Sequence, residues 1–285
     1  MASITVLSNA KINLFFEIHA LRPDHYCQVT SLMAPINLCD QIKFTITENA
    51  APNIYIASQV PFDKQQNTII QSIELFFQHA RIDKFSVEVE IEKNIPDGAG
   101  FGGGSSNGTH TLMTLNQFFG NQIPTTKLLS IAKKIGTDCP FFLNRFAQLA
   151  TGRGDELLPI PEIDTKLKNY HCLIFCPEFK ISTIEAYRDF KLHPHFSTNF
   201  IDFDPQLRDL ESCCFNSFEP QILSQHSELN ALFSALKKEQ LSPHITGSGS
   251  GCFILHKSRI RLKTAQNLIQ KYLPNNRLCR IVSFG

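Results

Sequence analysis

Pro96-Asp97-Gly98-Ala99-Gly100-Phe101-Gly102-Gly103-Gly104-Ser105-Ser106-Asn107 is the stretch on which the reading of this chain turns. Five glycines fall within the seven residues from 98 to 104. Glycine allows positive φ and close backbone approach, but ordering it costs more entropy than ordering any other residue, so five together are expensive for a plain turn. The preceding residues 85–92 alternate strictly between apolar and polar, which predicts a half-buried strand. The following residues, 106–119, carry a helical pattern. A strand, a glycine loop and a helix in that order leave free amides and the positive end of the helix dipole facing an anion. Pro96, Gly98, Gly100, Gly102, Gly103, Gly104, Ser105, Ser106 and Asn107 are therefore the candidate phosphate-binding residues.

Two familiar cradles do not fit. A P-loop needs Gly-Lys-Ser/Thr at the helix start, and here the residues are Gly104-Ser105-Ser106. The dinucleotide fingerprint needs an early βαβ unit and an acidic residue about 20 positions on. Residues 117–121 (Gln-Phe-Phe-Gly-Asn) offer none, which argues against a dehydrogenase.

Outward from the loop, the pattern predicts strands at 3–18, 41–47, 141–150, 170–176 and 278–284. Helices are expected at 68–80, 126–135 (capped by Thr125 or Thr126), 182–190, 219–238 and 259–272. A further strand should follow the second glycine stretch, 244–251, and the segment 191–218 is irregular. The turn at 151–154 and the prolines 159 and 161 suggest a boundary near 160, giving domains 1–160 and 161–285. Strands and helices mix without strict βαβ alternation, so the fold class is α+β.

The chain has 285 residues, of which 42% are hydrophobic and 19% charged, which is the composition of a globular protein. A formal net charge of +1 and the lack of a basic stripe argue against a nucleic-acid partner. The nine cysteines include no CxxC pair, which suits a reducing compartment and buried thiols better than zinc or disulfides. Motif-like sequence begins by residue 10, and no apolar run approaches the ~18 residues of a membrane span. The expectation is a cytoplasmic bacterial protein with no membrane association.

Three further stretches carry chemistry. Lys11 and Asn13 share one face of the first strand, between apolar Ile12 and Leu14. On a solvent face they mean nothing; in a cleft they offer a cation and an amide. Asp138, in Gly136-Thr137-Asp138-Cys139-Pro140, is either a turn residue or a general base. The stretch Thr246-Gly247-Ser248-Gly249-Ser250-Gly251 would be an ordinary turn if it stood alone.

Together these stretches resemble the GHMP kinase superfamily, whose glycine motif is matched from Pro96 to Ser106 with Phe101 in place of Leu. Within it the chain is most similar to the 4-diphosphocytidyl-2-C-methyl-D-erythritol kinases. That closer match rests on residues 10–15, Arg22-Pro23-Asp24-His25-Tyr26, the triple glycine with Ser105-Ser106-Asn107, residues 136–142 and Gly152-Arg153-Gly154-Asp155. The resemblance implies a two-domain α+β fold with its active site in an interdomain cleft, and ATP and Mg²⁺ as cofactors. It implies that Asp138 is the catalytic base and that Lys11 assists it. Ser105 or Ser106 would stand near Mg²⁺. Binding of the small-molecule substrate would fall to Asn13, Tyr26, Cys27, Thr183, Tyr187, Thr246, Gly247, Ser248 and Gly249, with the Tyr26 and Tyr187 rings about a cytosine. The chain departs from the family's Asp-Gly-Tyr-His, which here reads Asp24-His25-Tyr26-Cys27. A monomer or weak homodimer is expected. The alternatives are a homoserine- or mevalonate-type kinase, or a nucleotide-binding protein without catalysis.

Overall fold

The computed structural model describes residues 1–48, 51, 53–58, 67–192, 194, 196 and 209–284. Contacts divide the chain into two compact units. One comprises residues 1–10, 38–95 and 102–145; the other comprises 11–37, 96–101 and 146–285. Segments before residue 160 thus contribute to both.

The first unit takes its strands from β1 (Ala2–Leu21), β2 (Cys27–Glu48), β3 (Asn53–Ser58) and β4 (Phe85–Glu92), of which residues 2–10 of β1 and 38–48 of β2 belong here. β2 pairs antiparallel with β4, setting Phe44 opposite Val89 and Ile46 opposite Val87, and β3 runs parallel to β4 on its other side. The alternation of β4 sends Phe85, Val87 and Val89 inward. Helices α1 (Thr68–Ala80), α2 (Gly103–Phe118) and α3 (Thr125–Ile135) cover that face. The side chain of Asn67 caps α1 by accepting from the amides of Ile69 and Ile70. Ile69, Ile73, Phe76 and Phe77 of α1 meet Ile42, Phe44, Val87 and Val89 in one core. Gly108 lets α1 and α2 approach closely, since a Cβ there would lie 2.9 Å from the Cβ of Thr68.

Two local expectations are corrected in this unit. The helix α3 follows Pro124, and no side chain caps it, so neither Thr125 nor Thr126 plays that part. Residues 141–150 are not one strand. Cys139–Leu143 form a 3₁₀ turn with Pro140 at its start, and only Gln148–Thr151 (β5) is extended. A short apolar run does not by itself separate the two states, and proline at a helix start decides it here.

The second unit continues with β5, β6 (Glu156–Pro159), α4 (Pro161–Leu167), β7 (His171–Cys176), α5 (Thr183–Leu192) and α6 (Leu210–Cys213). Then come β8 (Phe215–Asn216), α7 (Glu219–Gln225), α8 (Ser227–Lys238), β9 (Pro243–Ile245), β10 (Cys252–His256), α9 (Arg259–Tyr272) and β11 (Leu278–Val282). An antiparallel sheet in the order β11-β7-β10-β9 packs against these helices around Leu173, Phe175, Leu232, Phe233 and Ile254. β8 pairs in parallel with β1 at Phe15, and β5 pairs with β2 at Leu32. The helix expected over 219–238 is broken at His226, whose extended backbone separates α7 from α8. Within the segment read as irregular, 193, 195 and 197–208 lie outside the described residues. Among the described residues no helix is long and apolar enough to cross a membrane.

Phe44 is fully buried at the centre of the first core. Phe44→Ala should lower unfolding stability by about 3–5 kcal/mol, read as a fall in the urea midpoint.

Candidate active site

In the first unit the glycine loop opens α2. Gly102 sits before the helix at φ 74°, and the first helical bond runs from the Ser106 amide to the Gly102 carbonyl at 2.9 Å. The amides of Gly103, Gly104 and Ser105 precede that bond, and the residue at the cap position, Gly102, has no side chain to cap them. An anion placed there would meet these N–H groups and the positive end of a 16-residue helix.

The two serines differ. The Ser106 hydroxyl is buried, donates to the Asn9 carbonyl at 2.6 Å and lies 2.7 Å from the hydroxyl of Ser8. Ser105 lies on the turn that carries Asp138: its Oγ would be 3.7 Å from a Cβ on Gly136. Thr109 donates to the Cys139 carbonyl at 2.8 Å and locks that turn to α2. Asp138 is half-buried beside Cys139. Burial pushes the Cys139 thiol up to about 11, so the thiol stays protonated.

Asp40, which the motifs did not mark, organises the other side of the loop. Its carboxylate is fully buried and accepts from Lys93 Nζ at 2.6 Å, the Asn94 amide at 2.7 Å, the Ile95 amide at 2.8 Å and Asn107 Nδ2 at 3.0 Å. One carboxylate thereby joins the end of β4 to the first turns of α2. Nothing in the sequence around Asp40 marks it, yet a buried carboxylate must be paired. The Oδ1 of Asn107 is buried and has no hydrogen-bond partner among the described residues.

In the second unit Lys11 and Asn13 are buried, at 3% and 4% exposure, so they do not lie on a solvent face. Lys11 Nζ donates to Asn13 Oδ1 at 2.5 Å, Asn13 Nδ2 to Ser31 Oγ at 2.7 Å, and the Asn13 amide to Thr246 Oγ1 at 2.8 Å. The two glycine stretches pack main chain to main chain. The Gly251 amide donates to the Ala99 carbonyl at 3.0 Å, and the Lys11 amide to the Phe101 carbonyl at 2.9 Å. A Cβ on Gly100 would lie 2.3 Å from the Thr246 carbonyl oxygen. Gly247 stands against Asn13 and Lys11, and Asn216 Nδ2 donates to the carbonyls of Ile245 and Gly247. The Thr183 and Ser248 hydroxyls are 2.8 Å apart.

The Tyr26 ring is half exposed under the Arg153 guanidinium, 4.9 Å from its centroid. Tyr187 packs edge-on to Phe218 at 5.0 Å. Cys27 is buried, and burial raises its thiol. His25 keeps the left-handed conformation, φ 64°, that glycine would adopt at this turn. The structure thus gathers Lys11, Asn13, Gly98, Gly100, Thr183 and 246–251 in one unit, and Gly102 to Asn107 with Asp138 in the other.

Residues 67–145 match the family described as GHMP kinases N terminal domain. The chain is 31% identical over 277 residues to the 4-diphosphocytidyl-2-C-methyl-D-erythritol kinase of Fusobacterium nucleatum subsp. nucleatum, covering 91% of this chain and 92% of that relative. The chain belongs to the 4-diphosphocytidyl-2-C-methyl-D-erythritol kinase family. The enzyme of the same name from Thermosipho africanus is 31% identical over 260 residues, 88% of this chain and 90% of its own. A crystal structure of 4-(cytidine 5'-diphospho)-2C-methyl-D-erythritol kinase superposes with a TM-score of 0.79 at 24% identity, covering 99% of this chain and 100% of that one. The α+β fold of the GHMP kinases is therefore that of this kinase.

Two outcomes are expected of this geometry. Gly100→Ala should abolish most turnover, because its Cβ meets the Thr246 carbonyl and its φ of 76° disfavours any side chain; steady-state rates beside a circular-dichroism melt would show this. His110 is half-buried next to Ser106, and desolvation lowers its pKa below the ordinary 6.5 against the opposing effect of its hydrogen bond to the Ser106 carbonyl. The unfolded chain then binds the proton more readily, so this contribution to stability is fully present above 6.5 and is lost as pH falls from there through the lower folded-state pKa. Melting temperatures between pH 7.5 and 5.5 should fall less steeply in His110→Gln than in wild type (roughly, the window set by an ordinary histidine).

Proposed function

We propose that this kinase transfers the γ-phosphoryl group of ATP to the 2-hydroxyl of 4-diphosphocytidyl-2-C-methyl-D-erythritol, a step in non-mevalonate isoprenoid precursor synthesis. The observation that carries the reading is the match over nine-tenths of the chain to relatives bearing that name. The uncapped start of α2 and the buried Lys11–Asn13–Thr246 cluster supply chemistry that fits it.

The amides of Gly103, Gly104 and Ser105 hold the phosphates, with Gly98, Gly100 and Gly102 shaping the loop from Pro96 to Asn107. Asp138 accepts the hydroxyl proton. The substrate oxygen forms its bond to the γ-phosphorus as the bond to the ADP oxygen breaks. Lys11 places positive charge toward the reacting oxygen, and Asn13 with 246–249 positions the acceptor. Tyr26 offers a π-face to cytosine, as does Tyr187, while the Cys27 side chain stays buried and Thr183 steadies Ser248.

Among the described residues no group of three or more His, Cys, Asp or Glu is clustered to hold a metal. That fits Mg²⁺ arriving on the ATP phosphates, which is the usual mode for this ion. Ser105, near Gly136 in the turn that carries Asp138, would be the serine to hold it, because the Ser106 hydroxyl is committed to Asn9. When bound, Mg²⁺ neutralises charge on the transferring group.

The test is ADP release from purified protein with Mg²⁺-ATP and each of three acceptors: the cytidyl substrate, homoserine and mevalonate. Turnover with the cytidyl substrate alone is expected. Turnover with a control alone would discard the substrate and keep the kinase. Asp138→Ala should cut kcat by about 10²-fold or more while ATP still binds; near-wild-type turnover would remove Asp138 from its role.

A further inference from the structure

Arg277, immediately before β11, had no signal in the sequence, yet its guanidinium ties together three segments of the second unit. Nη1 donates to the Asp97 carbonyl at 2.8 Å. Nε donates to the Pro177 carbonyl at 2.9 Å, and Nη2 to the Phe179 carbonyl at 3.3 Å and the Ser250 hydroxyl at 3.1 Å. The Ser250 hydroxyl in turn donates to the Phe179 carbonyl at 2.6 Å. The arginine's own amide is fixed to the Cys176 carbonyl at 2.8 Å, at the end of β7. A planar fork delivered from a strand end therefore holds the entry to the first glycine loop, the segment after β7 and the second glycine stretch.

The Asp97 carbonyl belongs to the same planar peptide as the Gly98 amide. Fixing the carbonyl fixes where that amide points. Gly98 has φ 64°, and the Lys180 side chain lies beside it. Two residues on, the Ala99 carbonyl is held by the Gly251 amide. Arg277 thus sets the direction of the peptide that starts the glycine loop, and Ser250 couples this to the second stretch.

We infer that Arg277 is a positioning residue for ATP: it aims the first amide of the glycine loop and touches no reacting atom. The inference deepens the kinase reading and rests on it for the identity of the ligand. Lysine cannot replace it, since one ammonium cannot span the four acceptors that the guanidinium fork reaches in fixed directions.

The experiment compares wild type with Arg277→Met, Arg277→Lys and Arg277→Ala by hydrogen–deuterium exchange, melting temperature and steady-state kinetics. In the ligand-free Met variant, exchange at residues 97–100 should rise about tenfold. KM for ATP should rise about tenfold in the Met and Lys variants, while KM for the alcohol substrate moves less than about twofold. Added methylguanidinium should recover ATP affinity in Arg277→Ala and leave wild type unchanged. Unchanged exchange at 97–100 overturns the inference. So does a parallel rise in both KM values with a fallen melting temperature, which is the mark of a merely structural arginine. Exchange needs no ligand, so the two readings separate. Faster exchange in a protein whose wild type neither binds nor uses ATP would support the tether and overturn the kinase reading instead.

Discussion

The second unit depends on two stretches of main chain coming closer than side chains permit. The Gly251 amide bonds to the Ala99 carbonyl, and a Cβ on either Gly100 or Gly251 would fall 2.3 Å from a main-chain oxygen of the other stretch. Main-chain contact of this kind is specified by the absence of side chains, and it explains the glycines at both places. Once the stretches touch, Thr246 Oγ1 reaches the amide of Asn13, and Gly247 comes against Asn13 and Lys11. The cation and amide of β1 are buried by glycine packing, and their mutual hydrogen bonding follows from that burial.

The first unit solves the complementary problem of holding the start of α2 with no side-chain cap. In place of a cap, the surroundings of the helix start are fixed by other contacts. Asp40 fixes the chain entering the loop, Thr109 fixes the turn bearing Asp138, and Ser106 is anchored to Asn9. A buried carboxylate is tolerable only when its lone pairs are filled, and four donors fill those of Asp40. The helix start is thus held from behind and from both sides while its amides stay available to an anion.

These two devices explain what was legible in the sequence. Helices 68–80 and 259–272 and strand 85–92 coincide with the structure because each carries its own periodicity and a capping or alternating pattern. β2 was read only over 41–47, since residues 29–36 are buried on both faces and lose the alternation that marks a strand. The motif residues Lys11, Asn13 and 246–251 were visible as types, and their convergence came only with the fold. Asp40 and Arg277 were invisible for a different reason. Most of their partners are main-chain amides and carbonyls remote in sequence, and such groups leave no residue-type signature at all.

The same point bears on the turn that departs from the family pattern. Histidine stands at 25, where the family resemblance leads one to expect glycine, and the backbone takes φ 64°. Left-handed backbone costs a non-glycine residue roughly 1–2 kcal/mol, and histidine is among the residues found there more often than most. The turn is closed by the Arg22 amide on the Tyr26 carbonyl and the His25 amide on the Arg22 carbonyl, with Asp24 accepting from the Tyr26 amide. Lys191 adds a 2.7 Å bond to the His25 carbonyl. All four bonds end on main-chain atoms of the turn, so they are indifferent to the side chain at 25. The exchange of glycine for histidine is absorbed as local strain, Tyr26 stays half exposed under Arg153, and Cys27 begins β2 with its thiol inside.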